Sequence, residues 1–154
     1  MTEVILPCGR VFHLDEADLP ILNGMNWHAD KRGKTFYVRG RKSGVSKGGV
    51  YLHNLLMGGR TDHRDGDGLN NRKNNLRRCT QDQNTLNRGP SRGKRFKGVY
   101  PRGRLFYAQL YRHGVAYHSY GHATAEAAAR AYDALALKHH GEFARLNFPS
   151  EPCA

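Results

Sequence analysis

The side chains that could do chemistry are concentrated between residues 61 and 84. Asp62 and His63 stand side by side, and Asn75 and Asn84 follow them. A neutral imidazole can take a proton from water, while carboxylate and amide oxygens are ligands of hard divalent cations. An asparagine can also hold an imidazole in its useful tautomer. Together these side chains could activate a water molecule against a phosphodiester, beside a cation that neutralises the leaving oxygen.

Local signals place these residues on two strands and a short helix. A Thr-x-x-Gln capping box at residues 80–83 predicts a helix start and puts Asn84 on the first turn. A strand carrying His63, a loop, a strand with residues 75–77 and this helix would make a compact ββα unit. Because neighbouring strand residues point to opposite faces, Asp62 and His63 can share a site only if the backbone bends there.

Three neighbouring features have simpler structural interpretations. Asp65-Gly66-Asp67-Gly68 is interpreted as a turn, because a calcium loop would need a glutamate at a position that Leu76 occupies. The asparagines between the two strands are interpreted as turn formers, and they are Asn70, Asn71 and Asn74. His53 lies in an apolar run and is interpreted as a hydrogen-bonded core residue rather than a ligand.

The C-terminal third has a different pattern. Residues 89–95 are basic and rich in turn formers, which predicts a linker. Beyond them, strands are predicted over residues 105–112 and 115–120, followed by an Ala-rich helix over residues 124–140. Period-two alternation predicts which strand side chains contact the helix. Those expected to face the helix are Phe106, Ala108, Leu110, His118 and Tyr120, and those expected to face outward are Tyr107, Gln109, Tyr111, Tyr117 and Ser119.

Charge is distributed unevenly along the chain. The sequence has 25 Lys and Arg against 13 Asp and Glu, a formal net charge of +12. Between Lys31 and Arg112 there are 21 basic and 4 acidic residues, and elsewhere there are 4 basic and 9 acidic residues. A regional basic excess indicates a polyanionic partner, and nucleic acid fits it best.

Several other classes of protein are not favoured. No apolar run approaches the roughly 20 residues that span a bilayer, and the N-terminus lacks the pattern of a signal peptide. The Gly-rich basic region does not fit the long amphipathic helix of a membrane-surface binder. Cys8, Cys79 and Cys153 are widely separated, which argues against a disulfide framework and a structural zinc site. We therefore expect a cytoplasmic protein with no membrane partner and no small-molecule cofactor.

The motif of residues 62–84 resembles that of the HNH (His-Asn-His) endonucleases, whose fold is the ββα-metal or His-Me finger. The segments that carry the resemblance are Asp62-His63, Asn75-Leu76-Arg77, Gln83-Asn84 and, before the motif, Tyr51–Gly58. It is closest to the homing endonucleases of phages and mobile introns. The resemblance implies that His63 is the general base and that Asn75 orients it. It also implies that Asp62 and Asn84 bind one divalent metal ion, Mg²⁺ or, in its place, Mn²⁺.

Residues 96–148 resemble the ethylene-response-factor (Apetala-two) DNA-binding domain. The segments that carry this resemblance are Lys97-Gly98-Val99, Tyr120-Gly121, Ala127–Asp133 and Leu146-Asn147-Phe148. It implies a three-stranded antiparallel sheet that is backed by one helix and lies in the major groove of DNA. The plant domains favour Arg and Trp at places that Tyr100, Tyr111 and Ser119 occupy here, so their target sequence is not implied for this chain.

We therefore predict an α+β chain that cuts double-stranded DNA in a sequence-directed way, as a monomer, in the host cell of a phage or mobile element. The predicted parts are a nuclease domain with the ββα-metal fold at 1–88, a basic linker at 89–95, a DNA-binding domain at 96–148 with its sheet packed on one helix, and a tail at 149–154. The residues expected to contact DNA are Arg64, Arg72, Arg77, Lys97, Tyr100, Arg102, Arg104, Tyr107, Gln109, Tyr111, Arg112, Tyr117 and Ser119. The alternatives are a non-catalytic DNA-binding regulator with an inactive nuclease scaffold, and an RNA-binding protein.

Overall fold

The computed structural model describes residues 2–44 and 48–149, and the fold is mixed α+β. The chain forms two compact units, which divide between residues 84 and 85. The predicted domain boundaries at residues 88 and 96 stay predictions, and most of the predicted tail lies outside the described residues. In the part of the chain that the structure describes, no helix is long and apolar enough to cross a membrane.

The first unit contains seven strands, two short α-helices and a 3-10 helix within its described residues. The strands are β1 (Thr2–Ile5), β2 (Val11–Leu14), β3 (Met25–Arg32), β4 (Thr35–Lys42), β5 (Val50–Tyr51), β6 (Thr61–His63) and β7 (Leu76–Arg78). The helices are a 3-10 helix (Glu16–Leu22), α1 (Leu52–Met57) and α2 (Gln81–Leu86), within which the division between the units falls. β1 pairs with β2, β4 lies between β3 and β5, and β6 pairs with β7, in each case antiparallel.

Apolar side chains from β2, β4 and α1 form the core of the first unit. Phe12, Leu14, Val38 and Leu52 have no exposed surface, and Trp27 packs against this cluster. Burying such side chains contributes about 1.5–3 kcal/mol each. The core therefore fixes the start of α1, and with it the segment that leads into β6.

β6, β7 and α2 follow one another in the order strand, strand, helix. Thr61, Asp62 and His63 pair with Arg78, Arg77 and Leu76 in a regular ladder. The predicted capping box is confirmed: the amide of Thr80 donates to Oε1 of Gln83 at 2.8 Å, and the amide of Gln83 donates to Oγ1 of Thr80 at 3.2 Å. The order matches a ββα unit, and the identity of that unit as a metal-binding module stays a prediction.

The second unit is a three-stranded sheet beside one long helix. Its elements are β8 (Val99–Arg102), β9 (Leu105–Arg112), β10 (Val115–His122), α3 (Ala125–His140) and a 3-10 helix (Gly141–Phe143). β9 lies between β8 and β10, and both pairings are antiparallel. Thr124 caps α3, because its side chain accepts a hydrogen bond from the amide of Ala127 at 3.1 Å.

The predicted faces are right for β9 and wrong for β10. Ala108 and Leu110 are buried against α3, as alternation predicts. On β10, however, Tyr117 packs into the same core, whereas His118 and Tyr120 are exposed on the opposite face. Tyr117 and Ser119, which were predicted to face outward, therefore lie on the helix side of the sheet.

The turn between the two strands explains this inversion. His113 and Gly114 form a two-residue turn with φ of 49° and 79°, so Arg112 pairs with Val115. The register then places Leu110 opposite Tyr117, Gln109 opposite His118 and Ala108 opposite Ser119. Directly opposite residues of an antiparallel pair share a face. Inward positions are consequently even-numbered on β9 and odd-numbered on β10.

Candidate functional site

His63 is buried at the end of β6, and its imidazole has an asparagine as a partner. Its Nε2 lies 3.3 Å from Oδ1 of Asn71, a residue with no exposed surface. The Nδ2 of Asn71 donates to the carbonyl of Gly68 at 3.3 Å, which fixes the amide orientation. Because Oδ1 can only accept, the hydrogen bond requires the proton on Nε2 of His63. Nδ1 is then the basic nitrogen of the ring.

Asn71 owes its position to β2. The amide of Asn71 donates to the carbonyl of His13 at 2.9 Å, and the amide of His13 donates to the carbonyl of Leu69 at 2.9 Å. A bridge between His13 and Asn70 continues this contact. The N-terminal strands thus hold the residue that contacts His63, although they lie far from it in sequence.

Aromatic rings enclose the other sides of His63. The His53 ring is 4.7 Å away between centroids at an interplanar angle of 71°, and the Tyr37 ring is 5.8 Å away. Burial lowers the pKa of His63 below its ordinary value, although the hydrogen bond with Asn71 and nearby carboxylates oppose the shift. The ring is therefore neutral at pH 7, which is the protonation state of a general base.

Asp62 is buried in an ion pair. Nη2 and Nε of Arg77 lie 2.7 and 3.1 Å from Oδ2 of Asp62, and both side chains are about 6% exposed. Arg77, which was predicted to contact DNA, is buried against Asp62 and has little exposed surface. Asp62 and His63 also have different side-chain partners, as expected for neighbouring residues of a regular strand.

Asn75, predicted to orient His63, is hydrogen-bonded to the loop between β6 and β7. Its Nδ2 donates to Oδ1 of Asp65 at 2.9 Å and to the carbonyl of Asn70 at 2.8 Å, and its Oδ1 accepts from the amide of Asp65. The Asp65 carboxylate also accepts from the amide of Asp67 at 2.8 Å, which confirms the predicted turn. The side chain of Asn71 contacts the His63 ring, and the orienting role assigned to Asn75 stays a prediction.

Asn84 is half-buried on the first turn of α2, where its amide donates to the carbonyl of Thr80 at 3.1 Å. Within residues 2–44 and 48–149, no group of three or more His, Cys, Asp or Glu side chains is gathered as a metal site would require. The predicted metal ligands differ from such a cluster, because they are one carboxylate (Asp62) and one amide (Asn84). Convergence of Asp62, His63 and Asn84 on one ion stays a prediction.

The outer face of the second unit is aromatic. Tyr107 stacks on Tyr100 at 5.3 Å and on Tyr120 at 5.6 Å, and His118 stacks on Tyr120 at 5.2 Å. The guanidinium of Arg102 lies 5.5 Å from the Tyr120 ring centroid. Four rings from three strands therefore form one surface, called here the aromatic face. Rings with adjacent cations suit contacts with bases and phosphates.

The remaining predicted DNA contacts differ in exposure. Those at the surface are Arg64, Arg102, Arg104 and Tyr111, and those half-buried are Arg72, Lys97, Tyr100, Tyr107, Gln109 and Arg112. Nε2 of Gln109 donates to the hydroxyl of Tyr111 at 2.5 Å. Lys97 donates to the carbonyl of Leu86, and burial with the nearby Arg145 lowers its pKa to about 8.

Sequence reasoning missed several residues of these sites. Asn71, His53 and Tyr37 surround His63, and His118 and Tyr120 belong to the aromatic face. Pairing Arg112 with Val115 across the turn after β9 would have placed His118 and Tyr120 on the outer face. Nothing in the sequence separates Asn71 from its asparagine neighbours, because its position depends on pairing with β2.

A protein of Acanthamoeba polyphaga mimivirus, named as an uncharacterized HNH endonuclease, is similar to this chain. The two are 30% identical over 135 residues, which cover 83% of this chain and 70% of the viral protein. No family profile matches the chain, and no solved structure matches it. The similarity extends over most of both proteins, including the residues around His63. The chain belongs to the HNH endonuclease family.

Proposed function

We propose that the protein is a DNA endonuclease that hydrolyses phosphodiester bonds with His63 as the general base. The observation that carries the proposal is a buried, neutral imidazole, with its Nε2 hydrogen-bonded to Asn71, in a chain of the HNH endonuclease family. In this role Nδ1 of His63 takes a proton from the attacking water. Asn71 holds the ring so that this nitrogen keeps its lone pair.

The proposal includes one divalent ion held by oxygen atoms of Asp62 and Asn84. The donor set fits a hard cation such as Mg²⁺, with Mn²⁺ as a substitute, because it offers a carboxylate and an amide oxygen. Arg77 neutralises part of the charge of Asp62, so a cation there must compete with the ion pair. When bound, such an ion supplies charge that stabilises the leaving oxygen.

The second unit is proposed to bind double-stranded DNA and to direct the cut. Its support is the aromatic face, the exposed Arg102 and Arg104, and the resemblance to the ethylene-response-factor domain. Phosphate contacts would supply most of the affinity, which should therefore fall steeply as the salt concentration rises. Residues on the aromatic face would contribute base contacts.

Nicking of a supercoiled plasmid tests this function. We expect the wild-type chain to nick in Mg²⁺ and not in EDTA, and His63→Ala to lose on the order of 10²-fold in turnover while it still binds DNA. A chain that binds duplex DNA and never nicks it would be the non-catalytic regulator, for which the Arg77 ion pair would be the explanation. Competition between duplex DNA and RNA separates both from an RNA-binding protein.

A further inference from the structure

His53 is a buried polar residue that the proposed chemistry does not use. It occupies the first turn of α1 and is 7% exposed. Its Nδ1 is buried and has no hydrogen-bond partner in the described part of the chain. The sequence predicted a buried, hydrogen-bonded histidine here. The residue is buried, but its Nδ1 makes no hydrogen bond within the described residues. Burying a polar atom without a partner costs about 1–3 kcal/mol, so a hydrogen bond at Nδ1 does not account for the position of this ring.

The ring of His53 lies between the site and a second aromatic pair. It meets the His63 ring almost perpendicularly, at 4.7 Å and 71°. On its other sides it stacks on Tyr51 at 5.4 Å and 21°, and it contacts Tyr37 at 5.7 Å. Tyr51 in turn donates its hydroxyl hydrogen to Asp30 at 2.6 Å, which fixes the outer ring.

Backbone and side-chain hydrogen bonds fix α1 against both strands of the site. Oδ1 of Asn54, the residue after His53, accepts from the amide of Thr61 on β6 at 3.1 Å. Arg78 on β7 donates to the carbonyls of Met57 and Gly58 at 2.8 and 3.1 Å, at the end of the helix. The position of the His53 ring relative to His63 is therefore set by β6, which carries His63, and by its partner strand β7.

Rotation about the Cβ–Cγ bond would swing Nδ1 of the His63 imidazole away from a bound water. The His53 ring, packed against the imidazole at an interplanar angle of 71°, opposes that rotation. A neutral aromatic ring can do this without placing a positive charge beside the base, and burial lowers the pKa of His53 to about 3.

We propose that His53 is a positioning residue, whose ring plane holds the His63 imidazole in the orientation that takes a proton from water. This inference rests on the proposed function of His63. Since it assigns the role to the ring plane rather than to a ring nitrogen, it predicts that another planar ring can replace the histidine. A branched aliphatic side chain of similar volume should not.

The test is steady-state plasmid nicking by the full chain in Mg²⁺ with three variants. We expect His53→Leu to lower kcat on the order of 10²-fold with KM unchanged, because small displacements of a catalytic group have effects of this size. His53→Phe should stay within about threefold of wild type on the same grounds of geometry. Leu56→Ala, a core truncation on α1, is the matched control and should keep kcat at a temperature at which it is folded.

Equal kcat for His53→Leu, Leu56→Ala and wild type would overturn the inference and leave the proposed function intact. A loss of kcat in His53→Phe as large as that in His53→Leu would also overturn it, since the nitrogen would then be what matters. A wild-type chain that never nicks DNA would remove the proposed function, and this inference with it. Leu and Phe are both apolar, so we expect either side chain to be tolerated at the buried position 53. Circular dichroism checks that both variants fold.

Discussion

The Oδ1 of Asn71 lies 3.3 Å from the Nε2 of His63, and Asn71 is itself paired to His13 on β2. The site is thus assembled from two distant parts of the first unit. The strand that carries His63 supplies the ring, and the loop held by the N-terminal hairpin supplies the acceptor. This geometry points to Asn71 as a residue that selects the tautomer of His63, and the predicted orienting role of Asn75 stays a prediction.

Replacing Asn71 should therefore slow the reaction more than replacing Asn75. We expect Asn71→Ala to lower turnover about 10–100-fold, because loss of a partner that fixes a histidine has effects of this size. Asn75→Ala should mainly destabilise the loop by removing its bonds to Asp65 and Asn70. Both variants are compared in a nicking assay at equal folded fraction, measured by urea unfolding. If Asn75→Ala proves the slower enzyme, the orienting role returns to Asn75.

The buried His53 should make stability depend on pH. Burial and the nearby His63 lower its folded-state pKa to about 3, against an ordinary value of 6.5. As pH falls below 6.5, the unfolded chain binds a proton that the folded chain does not, so stability is present above this pH and lost below it. The loss should approach about 1.4 kcal/mol per pH unit until about pH 3.

The measurement is the free energy of urea unfolding at several pH values for wild type and His53→Phe. Carboxylates titrate in both proteins, so the difference between the two curves isolates the histidine. We expect the difference to grow in favour of the variant as pH falls. Parallel curves would mean that His53 is protonated as easily in the folded chain as in the unfolded one.

The Asp62–Arg77 pair predicts a large cost for removing one partner. Arg77→Leu would leave a carboxylate that is 6% exposed without its guanidinium, and breaking a buried pair costs about 3–5 kcal/mol. Arg104→Leu is the control, because an exposed arginine should change stability by no more than about 0.5 kcal/mol. Chemical unfolding measures both. Similar unfolding free energies for the two variants would show that Asp62 does not depend on Arg77.

Local signals in the sequence predicted local structure well. The capping box at residues 80–83 and the N-cap at Thr124 form because each needs only a side chain and an amide three residues away. The boundaries of β9 also match, since alternation and a tight turn are read within one hairpin. The candidate base His63 was found by its motif, and its burial agrees with a neutral imidazole.

Contacts between distant elements could not be predicted in the same way. Asn71 differs from Asn70 and Asn74 only through its pairing with β2, and His53 meets His63 only because α1 packs on β6 and β7. The prediction for the two faces of β10 was wrong for a different reason. Its side chains do alternate between the faces, but which residues face the helix depends on the pairing set by the turn after β9.

Gly98, in the second unit, should tolerate no side chain. Its φ is 68°, and a Cβ would lie 2.1 Å from Cδ2 of Tyr132 and 2.6 Å from the carbonyl oxygen of Gln109. Gly103→Ala is a matched control, because Gly103 has a φ of 62° and no atom within 4 Å of an added Cβ. We expect the control to lose about 1 kcal/mol from backbone strain and Gly98→Ala clearly more, by thermal unfolding. Equal losses would mean that Tyr132 can move aside.

The corrected register of β10 predicts which of its residues contact DNA. His118 and Tyr120 lie on the aromatic face, whereas Tyr117 packs in the core and stacks on His139 at 3.7 Å. If this face binds duplex DNA, Tyr120→Ala should weaken binding about tenfold, which corresponds to about 1.4 kcal/mol. His118→Ala should weaken it to a similar extent, because its ring stacks on the same tyrosine.

Tyr117→Ala should behave in the opposite way. It removes a ring from the helix side of the sheet, so we expect a lower midpoint of thermal unfolding and an unchanged affinity for DNA at a temperature where the chain is folded. Fluorescence anisotropy with a labelled duplex at fixed salt measures the affinity of all three variants. An affinity loss confined to Tyr117→Ala would contradict binding at the aromatic face, because Tyr117 lies on the opposite face of the sheet.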